Sequence, residues 1–139
     1  MKTLLLSAAF FLCLSASSQM YIGLDAGKSS LHPVGALNVG YTKEDIMFSP
    51  FVEAKIIFHA NFTDPAYFAI VGGETYRVND WAFSIYAGPD KRMIDSDKKK
   101  ENYWCALAGA RITWKDFHVD AYRTNGINFF TVGYFGSLK

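Results

Sequence analysis

The chain has 139 residues, 50% of them hydrophobic, 17% aromatic and 19% charged, with 14 basic against 13 acidic side chains. A chain this apolar can offset its ordering entropy by burial, which excludes disorder, and its length fits one domain rather than a multidomain enzyme. A formal net charge of +1 gives no bulk electrostatic basis for binding nucleic acid, and two cysteines cannot build a disulfide framework.

Residues 1–18, MKTLLLSAAFFLCLSASS, carry the pattern of a secretory signal. Lys2 supplies the charged start, Leu4 to Leu14 the apolar run, and Ala16 and Ser18 occupy the −3 and −1 positions for cleavage before Gln19. The apolar run is shorter than the roughly 20 residues that a spanning helix needs. Cys13 follows Leu12, not the small residue that lipidation requires. The expected mature chain is therefore one domain, residues 19–139, with a single cysteine, Cys105, expected to be buried in a strand.

Beyond residue 20 no stretch sustains a helical period. Aromatic and β-branched runs recur instead at 20–27, 34–42, 48–60, 66–78, 81–88, 103–114, 117–124 and 127–137. The breaks are KSSLHP, KEDIM, NFTDP, ND, the long 89–102 region, KD and TNG. Breaks as short as ND and KD force hairpins, because a parallel crossover needs a dozen residues or more. The expected fold is all-β: a single eight-stranded antiparallel up-and-down barrel, closed so that no strand edge is left unpaired.

Alternation assigns the two faces of most strands. Leu37, Val39 and Tyr41 oppose Ala36, Asn38 and Gly40; Val52, Ala54, Ile56 and Phe58 oppose Glu53, Lys55 and His59. Trp81, Phe83 and Ile85 oppose Ala82, Ser84 and Tyr86. Trp104, Ala106, Ala108, Ala110 and Ile112 oppose Arg111 and Thr113, and Phe117, Val119 and Ala121 oppose His118, Asp120 and Tyr122. The fourth run has no clean period, and the pair Gly72–Gly73 suggests a bulge that changes its parity.

The same period fits a soluble barrel with its apolar face inward or a membrane barrel with that face toward lipid. Within the runs the only charges are Asp25, Glu53, Lys55, Glu74, Arg77, Arg111, Asp120 and Arg123. Charges this sparse, mixed with Gly, Ala, Ser and Tyr, suit a narrow lumen better than a water-facing surface. Connections also alternate: KEDIM, ND and KD are short, and the one long loop falls in the other set, as periplasmic turns and external loops do. Tyr41, Trp81, Trp114 and Phe117 gather near the short turns as one aromatic girdle; Tyr67, Tyr103 and Trp104 are expected at the other rim.

With its signal, the hairpin ALAGARITWKDFHVDAYR and the closing strand INFFTVGYFG, the chain resembles the small eight-stranded outer-membrane barrels of the OmpX and OmpA-barrel type. The resemblance is one of architecture. It implies an outer-membrane location, contact with membrane lipid or lipopolysaccharide, and work done by external loops.

Candidate chemistry is sparse. His118 and Asp120 share a strand face, a candidate general-base pair for a lipid-modifying enzyme, yet no nucleophile stands in a recognisable context. Glu53, Lys55, Arg111, Asp120 and Arg123 read better as a lumen ion-pair network. His32, His59 and His118 lack metal-ligand spacing, GETYR is not a phosphate loop, and neither metal nor cofactor is expected. Lys91, Arg92, Lys98, Lys99 and Lys100 make the 89–102 loop a site for an anionic surface or another partner, although Asp90, Asp95, Asp97 and Glu101 nearly cancel it. Asn61-Phe62-Thr63 is a glycosylation sequon, meaningful only in a eukaryote.

Three functions follow in order. The first is a non-enzymatic outer-membrane barrel with a structural, adhesive or surface-interaction role. The second is a secreted or periplasmic soluble barrel that holds a small apolar ligand among Leu37, Val39, Ile56, Phe58, Phe83 and Ile85. The third is a lipid-modifying enzyme using His118.

Overall fold

A computed structural model describes residues 18–43, 47–59, 67–92 and 103–138. Most of the expected signal, the sequon, and Lys98, Lys99 and Lys100 lie outside the described residues. Eight strands follow in chain order: β1 (Ser18–Ser29), β2 (Pro33–Lys43), β3 (Phe48–His59), β4 (Tyr67–Val78), β5 (Trp81–Arg92), β6 (Tyr103–Trp114), β7 (Phe117–Thr124) and β8 (Ile127–Leu138). Each is antiparallel to the next, and β8 returns to β1, with Met20 opposite Leu138 and Ser29 opposite Phe129. The barrel is closed and up-and-down. Its even strand number puts the first and last strand ends beside the β2–β3, β4–β5 and β6–β7 connections, which is called here the short-turn end.

The turns follow from their residues. Asn79-Asp80, Lys115-Asp116 and Asn125-Gly126 are two-residue connections, with φ of 55° at Asn79, 55° at Lys115, and 47° and 77° at Asn125 and Gly126. Positive φ at such loops matches the strand twist, and Asn and Gly tolerate it best. The β1–β2 turn is tied by Ser29, whose Oγ accepts from Leu31 N at 3.2 Å and His32 N at 2.9 Å. At the short-turn end adjacent connections are linked, Lys115 N donating to Asp80 O at 3.0 Å and Phe135 N to Asp116 O at 2.7 Å.

Two details differ from the sequence reading. The Gly72–Gly73 pair is not a bulge: Ala69 faces Asp90 and Gly72 faces Ala87 in one unbroken register, and Val71, Gly73 and Thr75 keep the inward parity. The fourth run lacks a clean period because glycine carries no side chain to mark its face. Strand β5 also runs on to Arg92, through Pro89, whose missing N–H leaves a gap in the pairing with β4 that the strand tolerates. Lys91 and Arg92 therefore sit on β5 and not in a loop beginning at 89. Beside β6, β7 stops at Thr124, opposite Leu107, so the far ends of β5 and β6 run on beyond it.

The faces sort with the apolar side outward. Leu24 is 65% exposed and Ile85 70%, with Leu37, Ile56, Phe58, Phe83, Ile112 and Val132 exposed beside them. Asp25, Glu53, Lys55, Arg111, His118 and Asp120 are buried inside. This is the sorting of a barrel whose surroundings are apolar, and it corrects the soluble alternative. Leu37, Ile56, Phe58, Phe83 and Ile85 face out and line no interior pocket. At the short-turn end Tyr41, Trp81, Trp114 and Phe117 are exposed, joined by Phe48, Tyr76 and Tyr134, and neighbours meet edge to face or tilted, Trp81 and Trp114 at 6.4 Å. At the opposite rim Trp104 is exposed, but Tyr67 is buried in the lumen, because on β4 the outward positions are Phe68 and Ile70.

The β7–β8 turn isolates a purely backbone effect. A Cβ at Gly126 would meet nothing within 4 Å, yet the residue sits at positive φ. Gly126→Ala is expected to destabilise the refolded barrel by about 1 kcal/mol, read as a lowered urea midpoint, while Asn125→Gly leaves the midpoint unchanged or raises it.

Candidate functional site

The lumen is filled in three levels. Toward the rim opposite the short-turn end Ile57, Tyr67, Leu107, Tyr122 and Phe129 form an apolar plug, with Tyr122 and Phe129 stacked at 4.9 Å. At its upper edge Thr124 Oγ1 donates to Asp90 Oδ2 at 2.6 Å. The charged residues lie beneath, at the middle of β3 and the first half of β7. Below them the short-turn end is walled by hydroxyls.

Arg111 is the centre of the charged level. It faces Asp120 across the β6–β7 pair and holds that carboxylate through Nε at 2.8 Å and Nη2 at 2.8 Å. The other edge of the same guanidinium crosses the lumen to Glu53 on β3, with Nη1 and Nη2 at 2.8 and 2.9 Å. A planar fork with five donors matches two carboxylates at once, which an ammonium cannot do. Tyr21 Oη donates to Glu53 Oε2 at 2.7 Å. Lys55, next inward on β3, donates to Asp120 Oδ2 at 2.9 Å and lies 3.3 Å from Asp25 Oδ2. Asp25 in turn accepts from His118 Nε2 at 2.7 Å. Three carboxylates thus meet two cations and one imidazole in a space closed to solvent.

Aromatic rings complete the lining. Phe135 lies between His118, stacked at 3.9 Å, and the Arg111 guanidinium, 4.6 Å from its centroid. Lys55 Nζ stands 4.5 Å above Tyr122. These faces offer each cation a partly negative surface.

Gly133 makes the network's outermost bond possible. It lies on β8 between His118 on β7 and Asp25 on β1, paired with both. A Cβ there would fall on Asp25 Oδ1 and His118 Nε2. Only a residue without a side chain lets the two reach each other over β8.

The lumen thus brings together Glu53, Lys55, Arg111 and Asp120 from the sequence reading. It does not include Arg123, which is exposed on the outer face with Val119 and Ala121. Parity decides this, since two-residue steps from Phe117 keep residue 123 outside, and its long stem can carry the charge toward the rim. His118 and Asp120 share the inner face, but His118 bonds Asp25 and not Asp120. The sequence reading has Asp25 only among the sparse strand charges and does not reach Tyr21 or Gly133; period-two counting along β1 from Tyr21 through Gly23 to Asp25 is the available signal. Of the basic loop set, Lys91 is half-buried on β5 with Nζ 5.8 Å from the Trp104 ring, and Arg92 ends that strand. Cys105 is half-buried on the inner face of β6.

Asp25, His118 and Asp120 are ligand types whose atoms lie within 4.8 Å of one another. The oxygens a metal would take are already engaged by Lys55 and Arg111, so the cluster has its counter-charge built in.

No family model and no curated protein matches this chain. Among solved structures it is similar to the crystal structure of Ail, the attachment invasion locus protein of Yersinia pestis. That match has 14% identity and a TM-score of 0.52, and spans 86% of this chain and 97% of Ail. The chain has the fold of a small eight-stranded outer-membrane barrel. A backbone structure of Ail from the same organism in a phospholipid bilayer nanodisc matches with 12% identity and a TM-score of 0.49, over 85% of this chain and 99% of the other.

Removing the central cation leaves two buried carboxylates without it. Arg111→Leu is expected to cost about 3–5 kcal/mol, measured as a fall in the urea midpoint of the refolded barrel. Gly133→Ala, which adds one methyl group, is expected to cost about 1–3 kcal/mol in the same assay.

Proposed function

We propose that the protein is exported by the signal at residues 1–18 and resides in the outer membrane as the barrel 19–139. There it acts without catalysis, as a rigid mount for external loops that meet anionic surfaces. The observation that carries this reading is the sorting of the wall, with an apolar outer belt ending in an aromatic girdle and Asp25, Glu53, Lys55, Arg111 and Asp120 inside, while Glu74 is exposed on the outer face of β4 opposite Ile85. Water would not favour that outer face, whereas lipid would. Eight strands leave an interior only wide enough for side chains, and here the charged level and the plug occupy it, which argues for a mount and against a pore.

The loop end supports the second half of the reading. Lys28 and Arg123 are exposed on the outer face near that rim, and Lys91 stands beside Trp104. Cations at this level suit the phosphates of lipopolysaccharide. The 93–102 connection adds Lys98, Lys99 and Lys100 and is our candidate for contact with a surface partner. An attachment role, of the kind that the full name of Ail states for that protein, fits such a mount. His118 is engaged with Asp25 and stacked on Phe135, and it serves the wall rather than a substrate.

Expression of the full chain followed by an alkaline carbonate wash tests the location. Wild-type protein is expected to stay in the washed outer-membrane pellet, and release in soluble form would refute the reading. Ile56→Arg, on the outer face of β3, adds about 2–4 kcal/mol to insertion if it sits near the bilayer midplane and should sharply lower the inserted fraction. Replacing residues 93–102 with a short Gly-Ser linker should leave insertion intact while abolishing binding to lipopolysaccharide-coated beads. Unchanged binding would remove that connection from the function.

A further inference from the structure

The short-turn end of the lumen opens into a vestibule of about 90 Å³. Arg111 forms its floor, Thr42, Thr75, Ser84 and Thr113 stand in its wall, and Arg77 and Lys115 line it nearer the turns. Arg77 is the anomaly. Its Nε is buried with no hydrogen-bond partner, and its Nη2 reaches only Thr42 Oγ1, at a long 3.4 Å. Among the described residues no carboxylate lies within ion-pair distance of it. The contrast with Arg111, whose guanidinium makes four short bonds to carboxylates, is chemical and not a matter of residue type.

At the turns Arg77 and Lys115 stand beside Asp116, and Lys115 is exposed, with its Nζ 5.1 Å from the Trp114 ring. The wall also has donors to spare. Thr75 Oγ1 and Ser84 Oγ are 2.8 Å apart, and whichever hydroxyl donates in that bond, the other keeps its own hydrogen. The volume is about three times the ~30 Å³ share of one water, which is room for one small oxyanion.

We propose that this vestibule binds a small oxyanion of the phosphate class, with Arg77 as its principal ligand, Lys115 as the second cation and the wall hydroxyls as further donors. An oxyanion gives the stranded Nε–H an acceptor and sets a negative group against the Arg77 guanidinium. The site lies within the ring of strands, so it stands whether or not the outer face meets lipid. Two sources carry this chemistry: free phosphate, and the headgroup of a phospholipid in the adjoining leaflet.

The test uses the full-length mature chain refolded in a phosphate-free nonionic detergent, with heat-dependent gel mobility confirming the closed barrel for every variant. Titration with inorganic phosphate, followed by calorimetry, is expected to show saturable one-to-one binding in the millimolar range, with sulfate competing. Arg77→Gln should raise Kd by about tenfold or more, the loss of one charge-assisted contact. Lys115→Gln should raise it by a smaller factor, and Arg77→Lys should fall between wild type and Arg77→Gln. In nanodiscs, loss of free-phosphate binding when phosphatidylglycerol replaces a neutral lipid assigns the site to a headgroup, and unchanged binding assigns it to free phosphate. Absence of saturable binding by the folded wild type, or identical affinity in Arg77→Gln, overturns the proposal and leaves the vestibule to water.

Discussion

The double fork of Arg111 is the constraint around which this barrel is arranged. One guanidinium holds Asp120 on the neighbouring strand and Glu53 across the lumen, which fixes the separation of opposite walls. The other buried charges gather about that bond: Lys55 shares Asp120 Oδ2 with Arg111 and reaches on to Asp25. Buried ion pairs of this sort are costly to desolvate, and each is worth little net stability against an apolar core of the same volume. Their value here is specificity of arrangement, because an interior that must pair three carboxylates tolerates few alternative registers.

The levels of the lumen divide its tasks. The apolar plug fills the lumen at the end opposite the short turns, the charged level joins the walls, and the hydroxyl-lined vestibule opens at the short-turn end. A wall sorted this way leaves the outer belt to Leu, Ile, Val and Phe, with Glu74 a charge set among them.

Much of this was readable from period-two alternation. Ile56, Phe83 and Val119 turn out, and Glu53, Lys55 and Asp120 turn in, as counting by twos requires. Reading failed where residue type was given more weight than parity. Charge alone groups Arg123 with the lumen set and aromaticity alone puts Tyr67 in a rim girdle, whereas backbone geometry puts each on the opposite face. It failed also where a residue leaves no mark: Gly72 and Gly73 hide the face they occupy, and Gly133 looks like a spacer until Asp25 and His118 are seen to meet over it. Of the lumen pairs, Arg111–Asp120 follows from the register of the KD hairpin, whereas partners across the barrel depend on closure and not on local sequence.

The position of Gly133 has a consequence for the order in which the molecule is made. Asp25 belongs to the first strand and His118 to the seventh, and the strand between them in space is the last in the chain. Their hydrogen bond therefore fastens the seam where the sheet becomes a cylinder, like a clasp fitted over the final stave. Until β8 docks on both sides, Asp25 has no imidazole to face and Lys55 has one carboxylate fewer to serve. A partly assembled sheet exposes that imbalance to whatever surrounds it, and the finished cylinder does not. Completion of the barrel is in this sense an electrostatic event as well as the formation of one more hydrogen-bonded ladder.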